Sequence, residues 1–228
     1  MNKKGKLIIL EGTDGSGKTT QLNLLVKKLK QKSIKFKTFD FPQYNKESSY
    51  FIKKYLNGEY GTWKEVGPYK TSIFYALDRF DVGQEIKNWI NQGYLVISNR
   101  YTASNLAHQG SKIKSIISRK KFFNWVLNFE HNILEIPRPN LNIVLYMPAE
   151  IAQKLVDQKG DREYLKRVKR DIHEADLKYL KNTEKVYLDL IKLYPLDFKK
   201  IDCFLNNKIL SPEEINQKIW KILEKFIK

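Results

Sequence analysis

The feature that most constrains the fold of this chain is the glycine-rich stretch GTDGSGKT at residues 12–19. It follows an apolar run at residues 7–10, which is typical of a parallel strand buried on both faces. After it, apolar side chains recur at the spacing of one helix face: Leu22, Leu25, Val26 and Leu29. Strand, glycine-rich turn and helix in this order predict a phosphate-binding loop, and the alternative is a plain Gly/Ser turn with a solvated lysine.

The residue types of this loop suit the binding of a nucleotide phosphate. Its glycines let the backbone amides turn toward one centre, and the start of the helix adds partial positive charge. Lys18 would reach the β- and γ-phosphates, and the Thr19 hydroxyl would ligate Mg²⁺. We therefore predict ATP and Mg²⁺ as cofactors. The predicted nucleotide-binding residues are Gly12, Thr13, Asp14, Gly15, Ser16, Gly17, Lys18, Thr19 and Thr20.

Short apolar runs alternate with helical patterns along the whole chain. The strand-like runs cover residues 7–10, 35–39, 94–98, 142–146 and 199–201. This alternation predicts an α/β fold, in which a parallel sheet is covered by helices on both faces. The last helix has the clearest start, because Ser211, Pro212 and Glu214 occupy the N-cap, N1 and capping-box positions. No linker or internal repeat is visible, so we expect a single domain over residues 1–228.

Polar and aromatic segments follow two further strand-like runs. The segment DFPQY occupies residues 40–44, and SNRYTASNLAHQG occupies residues 98–110. Ligands of open parallel sheets bind at the carboxyl ends of the strands. We therefore expect both segments to face one cleft together with the phosphate loop.

The chain of 228 residues has 42 Lys and Arg against 25 Asp and Glu, a net charge of +17. Such an excess suits polyanionic partners, either nucleotides or nucleic acid. Because the lysines are spread along the chain and no nucleic-acid-binding motif is present, nucleic acid is the weaker interpretation. Cys203 is the single cysteine, which excludes an intramolecular disulfide. Without a signal-like segment or about 18 consecutive apolar residues, the sequence predicts a soluble cytoplasmic protein with no membrane partner.

Six motifs extend the phosphate loop into a longer pattern. In chain order they are LEGTDGSGKTTQ, FPQY, YLNGEYG, YALDR, NRYTASNLAHQG and DIHEADLKYL. Through these motifs the sequence resembles the thymidylate kinases, which transfer the γ-phosphoryl group of ATP to dTMP. The resemblance implies a P-loop kinase fold with a five-stranded parallel sheet and a short lid at about residues 157–170. It also implies ATP and dTMP as small-molecule substrates, and a homodimer.

The resemblance assigns roles to residues of the acceptor site. Asp14 would reach the 3′-hydroxyl of the acceptor, and Arg100 would grip its phosphate with a bidentate fork. Tyr75 would stack on the thymine and Arg79 would hydrogen-bond it; the alternative is a core tyrosine and an arginine paired with an acid. Asn105 would read the thymine edge. The other matching substrate positions are Phe41, Pro42, Tyr44, Ser104, His108, Gln109 and Glu174.

We predict that Lys18, Arg100 and a basic residue of the lid supply the positive charge that catalysis needs. Gly15 stands where some members of the family carry an arginine, and members without it commonly supply positive charge from the lid. An arginine that closes over the transferring phosphoryl group stabilises the negative charge of the transition state. Arg162 is the lid residue that we predict to act. The other basic candidates in the lid are Lys159, Arg167 and Arg170.

Three positions depart from the family pattern. Asn99 replaces the aspartate usual before Arg100, so its role as a metal ligand beside Thr19 is a prediction; the alternative is that it ends the strand by bonding its own backbone. Gln43 stands where many relatives carry a basic residue, which changes the number of phosphate contacts. His108 replaces a common tyrosine near the sugar, which we expect to weaken the rejection of ribonucleotides.

Two other functions fit the phosphate loop. One is another nucleoside monophosphate or deoxynucleoside kinase of the same fold. The other is a non-catalytic P-loop protein that binds a nucleotide or nucleic acid. A protein of the second kind has no need for the combination of Tyr75, Arg79, Arg100 and Asn105, so these residues favour a kinase.

Overall fold

A parallel five-stranded sheet forms the centre of the fold in this computed structural model, which describes residues 4–157 and 177–227. Its strands are β1 (Lys6–Glu11), β2 (Phe36–Asp40), β3 (Leu95–Asn99), β4 (Leu141–Tyr146) and β5 (Phe198–Asp202). The strand order is β2-β3-β1-β4-β5, so β1 lies in the middle and carries the phosphate loop at its carboxyl end. The predicted α/β fold with a five-stranded parallel sheet is confirmed.

Helices cover both faces of the sheet. The described helices are α1 (Lys18–Gln31), α2 (Tyr50–Leu56), α3 (Trp63–Asp81), α4 (Gly83–Asn91), α5 (Thr102–Gly110), α6 (Ile116–Asn128), α7 (Ala149–Asp157), α8 (Leu177–Leu193) and α9 (Pro212–Ile227). None of these helices, within the described ranges, is long and apolar enough to cross a membrane.

The alternation of side chains along β1 explains why both faces need helices. Ile8 and Leu10 point to one face, where they pack with Leu25 of α1 and with α9. Leu7 and Ile9 point to the other face, where they pack with Ile86 of α4. All of these side chains are fully buried, as a strand that is apolar at every position requires. The phosphate loop is therefore anchored in a strand that is buried on both faces.

Strands β2 and β3 each end one residue later than the apolar pattern predicts. The ladder between them continues to the pair formed by Asp40 and Asn99, which lie opposite each other in register. A backbone ladder needs no apolar side chain, so a polar residue can end a strand that hydrophobicity alone would close earlier. This places two polar side chains side by side at the carboxyl edge of the sheet.

The start of α9 confirms one prediction, and the hairpin that precedes α9 is an element that the sequence analysis missed. The Ser211 N–H donates to the Glu214 carboxylate at 2.7 Å and the Glu214 N–H donates to the Ser211 hydroxyl at 3.2 Å, so the capping box is confirmed. A hairpin of β6 (Phe204–Leu205) and β7 (Lys208–Ile209) is not predicted from the sequence. Its signal is the pair Asn206 and Asn207, whose positive φ angles of 49° and 60° suit a tight hairpin turn.

Candidate active site

The phosphate loop closes around the side chain of Lys18. The Lys18 ammonium donates to the carbonyl oxygens of Gly12 at 2.9 Å and Thr13 at 2.8 Å, and the residue is only 9% exposed. Gly17 has a φ of 87° and directly precedes α1, so the N-terminus of the helix lies at the loop. Positive charge and backbone donors thus meet at the carboxyl end of β1, as anion binding requires. Thr19 and Thr20 are exposed in the first turn of α1.

Both the backbone conformation at position 15 and the atoms around it require a glycine there. Its φ is +82°, and a Cβ atom at this position would lie 2.1 Å from the carbonyl oxygen of Ala152 in α7. A side chain of any size is therefore excluded while α7 packs on the loop. This explains in physical terms why an arginine does not stand at this position in this chain.

The buried carboxylate of Glu11 joins the end of β1 to α5. Its Oε1 accepts from the Tyr101 N–H at 2.9 Å and from the Ser104 N–H at 3.1 Å. Its Oε2 accepts from the Ser104 hydroxyl at 2.6 Å and from the Tyr187 hydroxyl at 2.9 Å. Burial raises the pKa of Glu11, and the bond from Ser104 and the charge of Arg100 oppose that shift. The phosphate loop and the N-terminus of α5 are thereby held in one arrangement.

Arg100 lies between β3 and α5 with a backbone conformation that few non-glycine residues adopt, at a φ of 58°. Its backbone N–H donates to the Leu10 carbonyl at 2.9 Å, which ties the turn to β1. In the side chain, Nη2 donates to Asp14 at 2.5 Å, and Nη1 donates to Ser104 at 3.3 Å and to His108 at 2.9 Å. These bonds fix the orientation of the guanidinium in the site.

His108 acts as a neutral hydrogen-bond acceptor for Arg100. Burial, together with the charge of Arg100, lowers the pKa of His108 to about 3. Its Nε2 therefore accepts from Arg100, and its protonated Nδ1 donates to the Tyr179 hydroxyl at 3.0 Å. The Tyr179 hydroxyl lies 3.3 Å from the His108 carbonyl, to which it donates in turn. The sequence assigned His108 only to the sugar, and the structure adds this contact with the arginine.

Arg79 forms a buried, bidentate ion pair with Glu130. Its Nε donates to Oε2 at 2.8 Å and its Nη2 donates to Oε1 at 2.6 Å. The Thr102 hydroxyl also donates to Oε2, at 2.7 Å, so this carboxylate oxygen accepts two hydrogen bonds. Burial favours the neutral acid, but Arg79 and these hydrogen bonds lower the pKa of Glu130 overall. The arginine is paired with an acid, as the alternative held, and it also lines the cavity described below.

Asn105 has one half of its amide in use and the other half unpartnered. Its Nδ2 donates to the Ser72 carbonyl at 3.1 Å and to Glu130 at 2.9 Å. Its Oδ1 is buried and has no hydrogen-bond partner in the part of the chain that the structure describes. A buried acceptor without a donor costs free energy, so this atom suits a ligand that carries an N–H group.

One cavity at the carboxyl edge of the sheet brings the predicted acceptor residues together. The predicted residues that line it are Asp14, Phe41, Pro42, Tyr44, Tyr75, Arg79, Arg100, Ser104, Asn105, His108 and Gln109. The sequence reasoning missed three others that line it, Asp40, Tyr101 and Tyr179. Tyr75 also packs against the cluster of Ile52, Tyr55, Leu56 and Val66, so it serves core and cavity at once. Residues 158–170 of the predicted lid, including Arg162, and Glu174 lie outside the described residues.

Asn99 lies beside this cavity rather than in its lining. It is the register partner of Asp40 on β2, and its Oδ1 is buried without a partner among the described residues. In the described ranges, no group of three or more His, Cys, Asp or Glu side chains could hold a metal ion by itself. This donor set suits Mg²⁺ that is held mainly by phosphate oxygens and water, with one or two protein ligands.

Two further residues that sequence reasoning missed are buried acids. Glu11 and Glu130 are fully buried carboxylates, and each organises an arginine or the segment that carries one. A charged residue at the end of an otherwise apolar strand, as Glu11 is, indicates such a role. Glu130 has no comparable local signal, because its partner Arg79 is 51 residues away in the sequence.

We expect that Glu130→Gln destabilises the protein by about 3–5 kcal/mol, because it leaves the buried charge of Arg79 without its counterion. Urea unfolding followed by circular dichroism measures the loss. The matched control is Glu59→Gln, which removes an exposed partner of Lys54, with the Glu59 side chain 42% exposed, and should cost about 1 kcal/mol or less. Equal losses in the two variants would contradict the role given to Glu130.

Comparison with known proteins agrees with this geometry. The family model described as thymidylate kinase matches residues 10–215. A thymidylate kinase of Mycobacterium tuberculosis is 30% identical over 81% of this chain and 85% of its own length, and one of Plasmodium falciparum is 26% identical over 83% and 90%. A solved thymidylate kinase structure from Candida albicans aligns with a TM-score of 0.74 at 22% identity, covering 99% of this chain and 94% of that one, and supports the fold.

Together, the matched length and the residues gathered at the cavity identify the chain as a member of the thymidylate kinase family.

Proposed function

We propose that this chain transfers the γ-phosphoryl group of ATP to dTMP, giving dTDP and ADP. The observation that carries the proposal is the unpartnered, buried Oδ1 of Asn105 in the cavity beside Arg79. Thymine presents an N–H between two carbonyl oxygens, so it offers a donor to Asn105 and an acceptor to an arginine. Because Arg79 forms two bonds with Glu130, its guanidinium has a fixed orientation toward the proposed base site.

The remaining cavity residues suit the rest of the acceptor nucleotide. Arg100 carries a positive charge that matches the acceptor phosphate, and it is oriented by Ser104 and His108. Asp14 accepts from Arg100 and is the carboxylate that we propose to accept from the 3′-hydroxyl. Phosphoryl transfer needs little covalent chemistry from the protein, so fixed position and fixed charge are what these residues supply.

The phosphate loop serves the donor nucleotide. Its backbone N–H groups and Lys18 cradle the β- and γ-phosphates of ATP, where charge develops during transfer. Magnesium, when bound, neutralises part of the phosphate charge. Thr19 and the Oδ1 of Asn99 are the oxygen donors that we propose for it, the latter because it is buried and has no partner among the described residues. Arg162 of the lid, and Glu174 near the acceptor sugar, remain predictions.

Other kinases of the same fold are the alternative, and the pattern of donors and acceptors favours dTMP over them. Cytosine carries an acceptor where thymine carries an N–H, so dCMP would set two acceptors against each other at Asn105. Tyr44 and Tyr75 add apolar surface for a pyrimidine. We propose a cytoplasmic location, with which the single buried thiol of Cys203 is compatible.

We also propose that the protein is a homodimer. Leu77 and Phe80 lie three residues apart on α3, which places them on one side of the helix, and they are 37% and 52% exposed. Phe51 of α2, 45% exposed, lines the same groove. Apolar side chains grouped in this way favour burial against a second copy of the chain.

Lys18→Ala should lower kcat by about 100-fold or more, because it removes a positive charge directed at the transferring group. A coupled assay of ADP release measures the effect. The control is Lys27→Ala, which removes an exposed lysine from the same helix and should leave turnover unchanged. Near-normal turnover in folded Lys18→Ala protein would exclude the loop from the reaction.

The protein should prefer dTMP over dCMP, dGMP and AMP, with a difference in kcat/KM of about 100-fold or more, because the wrong bases leave buried polar groups unpaired. A coupled assay over a panel of nucleoside monophosphates tests this. Equal kcat/KM for dTMP and dCMP would be incompatible with the role given to Asn105.

Light scattering should give twice the mass of one chain for the parent protein and one chain mass for Phe80→Glu, because a buried charge opposes the apolar contact. The control is Leu196→Glu, at a position 86% exposed outside the α3 groove, which should stay dimeric. A Phe80→Glu protein that stays dimeric would move the interface elsewhere.

A further inference from the structure

The carboxylate of Asp40 occupies a place in the cavity that the acceptor contacts do not explain. It is the last residue of β2, and it lines the cavity together with Arg100. It lies opposite Asn99 in register on the neighbouring strand. Burial raises the pKa of Asp40, and the charges of Arg100 and Lys18 oppose that shift. A negative group therefore stands close to the two positive groups that are expected to hold phosphates.

Such a carboxylate is unfavourable near bound phosphates unless a cation lies between them. Arg100 already has Asp14 as its counterion, at 2.5 Å, so Asp40 is not needed to balance that arginine. Like charges at a few ångströms repel strongly where solvent is partly excluded. The presence of Asp40 at this edge therefore points to a positive partner that arrives with the substrates.

Asn99 supplies the second, independent observation. It is 2% exposed, and its Oδ1 has no hydrogen-bond partner within the described ranges. A carboxylate oxygen and an amide oxygen from register partners on adjacent strands are the hard donors that Mg²⁺ prefers. The two residues stand next to each other at the carboxyl edge of the sheet.

We propose that Asp40, beside its register partner Asn99, is the carboxylate that faces the magnesium ion of the bound MgATP complex, directly or through one of its water molecules. The proposal rests on the proposed function, since ATP is the nucleotide assumed. It makes Asp40 the acidic residue of the magnesium site and limits Asn99 to a supporting oxygen donor. The acidic charge at this edge of the sheet is thus carried by β2 and not by β3.

The test measures how much Mg²⁺ strengthens the binding of a non-hydrolysable ATP analogue, by calorimetry with and without saturating Mg²⁺. Titration without dTMP keeps the result independent of the acceptor, so failure to phosphorylate dTMP and failure of this proposal are separate outcomes. Asp40→Asn should reduce the strengthening by Mg²⁺ about tenfold, as losses of supporting metal contacts do. Its affinity for the analogue without metal should be unchanged or higher, because a negative charge is removed.

Two further variants separate a metal role from a merely structural one. The exchange variant Asp40→Asn with Asn99→Asp keeps an acid–amide pair and should recover most of the lost strengthening. Glu85→Gln, an exposed charge change in the first turn of α4 outside the cavity, should behave as the parent protein.

The proposal is overturned by any of three results. Asp40→Asn protein could keep the full effect of Mg²⁺. It could lose metal-free affinity by the same factor, which would make Asp40 a structural partner of Asn99 only. The exchange variant could recover nothing, which would exclude the acid–amide pair as the acting unit.

Discussion

The hydrogen bonds of the buried Glu11 carboxylate hold the two halves of the active site together. One side chain at the end of β1 accepts from Tyr101 and Ser104 at the start of α5 and from Tyr187 on α8. Because burial makes each unmade hydrogen bond costly, this carboxylate permits one arrangement of these segments. The phosphate loop, which follows Glu11 directly, is thereby placed at a fixed distance from Arg100. Donor and acceptor sites are set by one residue that touches neither substrate in the proposed reaction.

A second buried acid organises the base end of the acceptor site. Glu130 binds Arg79 through two bonds and also accepts from Thr102 and Asn105. It therefore fixes both side chains that are proposed to recognise thymine. Two arginines line the described cavity, and each owes its orientation to neighbouring polar groups. The high net charge of +17 has little to do with this arrangement, because the charges that matter are paired locally.

Sequence reasoning succeeded where the signal is local. The strands appear where short apolar runs predict them, and α9 begins at the predicted capping box of Ser211 and Glu214. Strands β2 and β3 each end one residue later than the apolar pattern predicts. They end at the polar residues Asp40 and Asn99, because strand pairing depends on the backbone. The acceptor residues were named through motifs, and the structure places those it describes around one cavity. His108 shows a limit of sequence reasoning. It can accept from Arg100 because burial keeps its ring neutral, and burial cannot be read from its neighbours in the chain.

The sequence by itself determined the fold class and the phosphate loop. Alternating apolar runs and a glycine-rich turn between strand and helix act over a few residues, so they can be read from the printed chain. Only the tertiary structure decided which acidic side chains pair with which basic and polar side chains. Arg79 pairs with Glu130 across 51 residues, and Tyr187 reaches Glu11 across 176. Such pairs form because strands and helices from distant parts of the chain pack together, and the free energy of burial then selects the partners that satisfy each charge.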